Sequence, residues 1–162
     1  MDLGLRGRRA LITGGSRGIG FAVAEALTAE GAAVGLVARD AAGLAEAAGR
    51  LEPRGVRVAT AAADVTDTPA LQRAVAEIAS ALGGLDHLVA NAGGTVGTGN
   101  LTSAADDEFT ATFALNAGHA VELIRAGLPH LQAAGGGAVV IISSVTGMRP
   151  APRTAYAAAK AA

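Results

Sequence analysis

The sequence predicts an α/β domain built on a doubly wound parallel sheet, and three observations point there. Short runs rich in β-branched and aliphatic residues alternate with longer Ala-rich stretches of helical period, the pattern of βαβ units with right-handed crossovers. The short runs are apolar throughout instead of alternating with polar residues, as strands covered on both faces read. A glycine-rich loop closes the first run and opens the first helical stretch.

Ala10-Leu11-Ile12-Thr13 reads as the first strand and Ile19 to Glu30 as the first helix, ended by Gly31. Ala33 to Ala38 is the second strand, and Ala41 to Leu51 a helix stopped by Pro53. Val56 to Ala62 is the third strand. The next helix opens near Thr66 and Asp67, a natural N-cap with Pro69 in the first turn, and runs to about Leu82. Leu85 to Ala90 is the fourth strand, and residues 92–100 form a Gly/Thr-rich loop. One long helical stretch is expected from about Ser103 to Ala134, bent at Gly118 and Pro129. Ala138 to Ser143 is the fifth strand, and the chain turns helical again from Thr154.

With 162 residues and no repeat, linker or shift in composition, residues 1–162 read as a single domain large enough to bury a core. The 13 basic and 14 acidic side chains leave a formal net charge of −1, which provides no cationic field for nucleic acid or anionic lipid. Aromatic residues make up 2% and Trp is absent, so no platform stacks bases. The absence of Cys excludes disulfides, thiolate zinc sites and Cys nucleophiles, and fits a reducing compartment. No apolar run approaches the ~18 residues of a spanning helix, and Met1 to Arg6 lacks a signal peptide's apolar core. A soluble, cytoplasmic protein is expected, without nucleic-acid or membrane partners. His87, His119 and His130 lack metal-ligand spacing and read as structural or surface residues, so no metal site is expected.

Ligands of doubly wound sheets bind beyond the carboxyl ends of the strands, so the residues following each strand carry the functional signal. Thr13-Gly14-Gly15-Ser16-Arg17-Gly18-Ile19-Gly20 follows the first strand. Gly14 permits a tight turn, Gly18 lets backbone approach a pyrophosphate, and Gly20 permits close helix–strand packing. The helix N-terminus adds free N–H groups and a positive dipole end. Gly14 to Gly18 also matches the G-x-S-x-G elbow of hydrolases. That elbow needs an earlier strand and loop to supply an oxyanion donor, and only 13 residues precede Gly14.

At the end of the second strand, an NAD site places an acid that accepts from the ribose 2′-hydroxyl. Here Ala38 occupies that place and Arg39 follows. Arg39 and Arg17 can converge on a 2′-phosphate, which favours NADP(H), with NAD(H) as the alternative. Solvated arginines, with Asp40 merely capping the second helix, are the competing explanation.

Tyr156 and Lys160 stand four apart on the last helix, on one face. A phenol is a poor acid–base catalyst near neutral pH, and a neighbouring ammonium favours its phenolate. Ser143 and Ser144 end the fifth strand, so one hydroxyl can enter the same cleft and hydrogen-bond a carbonyl oxygen. Alone, the Tyr–Lys pair would be an ordinary surface helix; with the glycine loop and a strand-end Ser it reads as a catalytic group.

Together these residues resemble the short-chain dehydrogenase/reductases over the whole chain, nearest the 3-oxoacyl-thioester (acyl-carrier-protein) reductase branch. The loop holding Gly14, Ser16, Arg17, Gly18, Ile19 and Gly20 is similar to that family's cofactor loop. Asp64-Val65 resembles its adenine-contacting pair, and Asn91-Ala92-Gly93 its N-A-G segment. Asn116 matches an Asn holding a water in a proton relay. Ser144, followed by Val145-Thr146-Gly147, aligns with the catalytic Ser, and Tyr156 and Lys160 with the catalytic Tyr and Lys.

The resemblance implies a Rossmann-type domain, a small-molecule carbonyl or alcohol substrate, a homo-oligomer, and hydride transfer between nicotinamide and the substrate carbon. Tyr156 would be the acid–base group, Ser144 would polarise the carbonyl, and Lys160 would hold the nicotinamide ribose and tune Tyr156. Read without it, Asp64 is a turn cap, Asn91 an ordinary strand-end residue and Asn116 a polar residue at a bend.

Two departures stand out. The interval from Ser144 to Tyr156 is one residue shorter than the family's usual spacing, which Ser143 would restore. The chain also stops two residues after Lys160, so roughly 80 to 100 residues carrying the remaining strands and the substrate lid are expected to be missing. A nucleotide-binding fragment or remnant without catalysis is therefore the alternative function.

Overall fold

The computed structural model describes residues 2–97, 102–103, 105–149 and 154–162. Five parallel strands form one sheet: β1 (Arg9–Thr13), β2 (Ala33–Ala38), β3 (Val58–Ala62), β4 (His87–Ala90) and β5 (Ala138–Ile141). Their order across the sheet is β3-β2-β1-β4-β5. The winding reverses between β1 and β4, the crevice where a doubly wound sheet binds ligands.

The two-residue period of the strands divides the core into two layers. On one face Leu11, Val37 and Leu88 pack with Leu71, Val75 and Ile78 of α3 (Thr68–Leu82) and Leu123 of α5 (His119–Ala133). On the other face Ile12, Leu36 and Val89 pack with Phe21 of α1 (Gly18–Ala29) and Leu44 and Leu51 of α2 (Ala41–Leu51). The caps match the sequence: Asp40 accepts from Ala42 N at 3.1 Å and Asp67 from Ala70 N at 3.0 Å.

At the far end of the sheet, Asp86 ties β4 to β1. Its carboxylate accepts from Arg9 N at 2.9 Å, Arg9 Nε at 2.7 Å and Arg9 Nη2 at 3.1 Å. Those bonds hold the carboxyl below its usual range, against the opposing effect of burial.

Four expectations are corrected. β4 begins at His87 instead of Leu85, since the Asp86 carboxylate just before it is tied to Arg9. β3 begins at Val58 instead of Val56, because Gly55 (φ +71) is still turning the chain and pairing opens at Val34–Val58. The stretch expected to be one helix is two, α4 (Asp106–Phe113) and α5, joined by a π-helical turn at Ala114–Gly118; Pro129 lies within α5 without ending it. β5 ends at Ile141 and is exposed along its length, unlike the buried β1 and β2, since it lies at the edge of this sheet and, among the described residues, pairs only with β4. Positions 98–100 of the expected Gly/Thr-rich loop lie outside the described residues. α6 (Thr154–Ala161) closes the chain.

Candidate active site

The end of β1 is latched to the end of β4. Thr13 Oγ1 accepts from Asn91 N at 3.0 Å and Ala92 N at 3.1 Å, while Asn91 Nδ2 donates to Thr13 O at 3.0 Å. His119 lies behind the latch, 2% exposed, with Nε2 3.4 Å from Thr13 Oγ1 and Nδ1 2.6 Å from Leu115 O. Burial lowers its pKa below the ordinary 6.5.

The latch fixes the glycine loop. A Cβ on Gly20 would overlap Gly14 O and stand 2.5 Å from Asn91 Nδ2, so only glycine lets α1 approach this closely. Gly18 has φ +58, and no heavy atom lies within 4 Å of where its Cβ would stand. Its backbone faces open space at the start of α1, where N–H groups are unpaired by the helix.

A cavity of about 970 Å³ opens over these strand ends. Gly14, Ser16, Arg17, Gly18 and Ile19 form one wall, Arg39, Asp64 and Val65 a second, and Asn91, Ala92 and Gly93 the floor. Ser144, Tyr156 and Lys160 close the end nearest β5. Thus every site residue singled out from the sequence lines this cavity except Gly20, which packs beneath the loop, and Asn116.

Asn116 lies in the π-helical turn, 2% exposed, and its amide is fully engaged. Oδ1 accepts from Gly94 N at 3.1 Å, and Nδ2 donates to Gly94 O at 2.6 Å and Thr112 O at 2.7 Å. It braces the strand-end segment rather than presenting its amide to the cavity.

Asp64 Oδ1 accepts from Thr66 N at 2.9 Å and Thr66 Oγ1 at 2.7 Å, and these bonds, with a smaller contribution from the Arg39 charge, depress its pKa. It is therefore a turn cap and a cavity residue at once. Asp40 Oδ1 caps α2, and Asp40, Arg17 and Arg39 all line the cavity.

On α6, Ala155 and Ala159 are buried, and the next residue after each, Tyr156 and Lys160, reaches the cavity. Lys160 Nζ donates to Ile142 O at 2.8 Å and lies 6.0 Å from the Tyr156 ring centroid. Burial lowers the lysine's pKa. The two serines differ. Ser143 Oγ donates to Lys160 O at 2.7 Å, whereas Ser144 Oγ accepts from Thr146 N at 3.2 Å.

Sequence reasoning missed Thr13 as the latch, although a Thr directly before the loop, facing a strand-end Asn, was a usable signal. It also missed Arg50, which extends the cavity wall and lies 4.0 Å over the Phe21 ring. Its spacing from Gly43 and Glu46 on one face of α2 could have marked it.

A family model described as short chain dehydrogenase matches residues 8–162. A tropinone reductase homolog of Arabidopsis thaliana is 37% identical over 145 residues, covering 89% of this chain and 53% of that relative. The crystal structure of L-sorbose reductase from Gluconobacter frateurii, complexed with NADPH and L-sorbose, has a TM-score of 0.94 at 40% identity, over 99% of this chain and 62% of that one. Carveol dehydrogenase from Mycobacterium avium, in complex with NAD, has a TM-score of 0.90 at 33% identity, over 96% and 61%. The chain thus spans little more than half the length of the curated relative.

Proposed function

The chain belongs to the short-chain dehydrogenase family, and from that membership we propose that it interconverts a carbonyl and a secondary alcohol with NADP(H) as the hydride carrier. The observation that carries the reading is convergence: Ser144, Tyr156 and Lys160 close one end of the cavity whose other wall is the glycine loop with Arg17 and Arg39. In this reading residues 1–162 form one dinucleotide-binding domain.

The residues present fit a dinucleotide. The bare backbone of Gly18 at the start of α1 suits a pyrophosphate. Asp64 and Val65, which line the cavity, would contact the adenine, and Asn91 to Gly93 would support the nicotinamide half. Arg17 and Arg39 would take a 2′-phosphate, and Ala38 stands where an NAD site places its acid. When bound, the reduced cofactor supplies a hydride to the carbonyl carbon.

Tyr156 donates its phenolic proton to the carbonyl oxygen, with the Lys160 ammonium 6.0 Å from its ring centroid. Ser144 hydrogen-bonds that oxygen and stabilises the negative charge growing on it. Lys160, whose Nζ donates to Ile142 O beside Gly93, would hold the nicotinamide ribose. Both amide protons of Asn116 are donated to Gly94 O and Thr112 O, so only its Oδ1 could still bond a relay water. A 3-oxoacyl thioester is one substrate class within this proposal.

NADPH consumption by the protein with a panel of 3-oxoacyl thioesters, ketoses and cyclic ketones tests the reading. We expect oxidation that depends on one carbonyl class and is slower with NADH. Saturable NADPH binding with no turnover on any carbonyl would instead favour nucleotide binding without catalysis.

A further inference from the structure

Two adjacent serines end the β5 segment, and their hydrogen bonds leave them in opposite states. A serine oxygen carries one proton and two lone pairs. Ser143 spends its proton on Lys160 O at 2.7 Å. Ser144 instead receives two bonds from one residue, from Thr146 N at 3.2 Å and from Thr146 Oγ1 at 2.9 Å. Both lone pairs of Ser144 are then occupied, and its proton is what it has left to offer the cavity it lines.

We propose that Thr146 is a positioning residue for the reductase reaction, holding Ser144 as a donor-only hydroxyl aimed at the substrate's carbonyl oxygen. The inference rests on the reductase reading of the site and extends it to a residue that does not itself line the cavity.

Three features support it. Thr is β-branched and stiff at χ1, so its hydroxyl keeps a fixed direction at less entropic cost than a flexible side chain would. The turn that carries it, Val145–Gly147, is seated tightly, since a Cβ on Gly147 would overlap Lys160 O. Bonds received by an oxygen also polarise its own O–H, strengthening the bond it donates. A serine free to accept would offer lone pairs to the carbonyl oxygen in part of its rotamers, and those rotamers repel the charge that grows there as hydride adds to carbon.

The test compares wild type, Thr146→Val, Thr146→Ser, Ser144→Ala and the double variant Ser144→Ala/Thr146→Val, with one carbonyl substrate and NADPH. Losing one neutral hydrogen bond should lower kcat about fivefold in Thr146→Val. NADPH affinity and Tm should be unchanged, and Thr146→Ser should restore the rate. In the Ser144→Ala background, Thr146→Val should cost nothing further, since the residue acts only through Ser144. An equal loss in both backgrounds would overturn the proposal, as would failure of Thr146→Ser to restore kcat at unchanged Tm.

Proton NMR of the hydroxyls in the wild type and Ser144→Ala needs neither turnover nor a Thr146 variant that folds. We expect the Thr146 hydroxyl proton to exchange slowly and to lose that protection in Ser144→Ala. A protected Ser144 proton beside a freely exchanging Thr146 hydroxyl would reverse the donor and overturn the proposal. If the wild type reduces no carbonyl at all, it is the reductase reading that fails, and the NMR result alone decides whether Thr146 donates to Ser144.

Discussion

Lys160 joins three parts of the site. Its ammonium donates to Ile142 O, its backbone oxygen accepts from Ser143, and its Nζ stands 3.1 Å from where a Gly93 Cβ would be. Lys160→Ala should therefore weaken NADPH binding and lower kcat about 100-fold, because ribose placement and support of the phenolate are lost together. Loss of turnover at unchanged cofactor affinity, measured by titration, would separate those roles. Arg39→Ala should cost NADPH about 1.5–3 kcal/mol, or about 10- to 150-fold in affinity, and leave NADH nearly untouched. Equal losses for both nucleotides would show that Arg39 does not read a 2′-phosphate. At this scale the sequence named the cavity-lining residues well, because each stands just after a strand or in the first turns of the last helix. It chose Ser144 over Ser143 on the Val145-Thr146-Gly147 that follows, but could not see that Ser143 is engaged by Lys160 O, distant in the chain. It also could not see that the Asn116 amide is consumed by Gly94 and Thr112.

Strands and capped helices were legible because apolar runs, Asp40, Asp67 and Pro69 are local signals. The π-helical turn at Ala114–Gly118 was not, because Asn116 is drawn to a loop far away in sequence, and helical periodicity carries no trace of that pull. β4 likewise starts later than its apolar pattern, after the Asp86 knot with Arg9. Asp86, 4% exposed, is the structural acid whose loss would be felt most. Asp86→Ala should destabilise the fold by about 3 kcal/mol, since Arg9 would keep its partly buried charge with Gly83 O but no carboxylate beside it. Urea unfolding checks this; a loss near zero would show that water replaces the carboxylate at no cost.

Over the whole molecule, the reversal between β1 and β4 gathers five strand ends around one cavity, and the doubly wound class was readable from alternation alone. The exposure of β5 was not, because periodicity cannot say which strand lies at an edge. Two buried titrations should shape stability against pH. His119 has its pKa lowered by burial, so its contribution is complete above its ordinary 6.5 and is lost as pH falls below that value toward the folded one. Asp86, lowered chiefly by its Arg9 hydrogen bonds, contributes fully above its ordinary 3.8 and loses that contribution as pH falls further. Urea midpoints from about pH 8 to about pH 3 should therefore fall in two steps, the upper one absent in His119→Gln. An upper step that persists in His119→Gln would assign it to another group.

In the proposed mechanism one cavity brings an acid–base phenol to a bound dinucleotide. Tyr156 is the single tyrosine of residues 1–162. The direct measurement is NADPH affinity and carbonyl-dependent NADPH oxidation in the wild type and Tyr156→Phe, side by side. The account expects equal NADPH affinity and a kcat at least about 100-fold lower in the variant, since only the proton donor is removed. Tyr156→Phe turning over at the wild-type rate would contradict it.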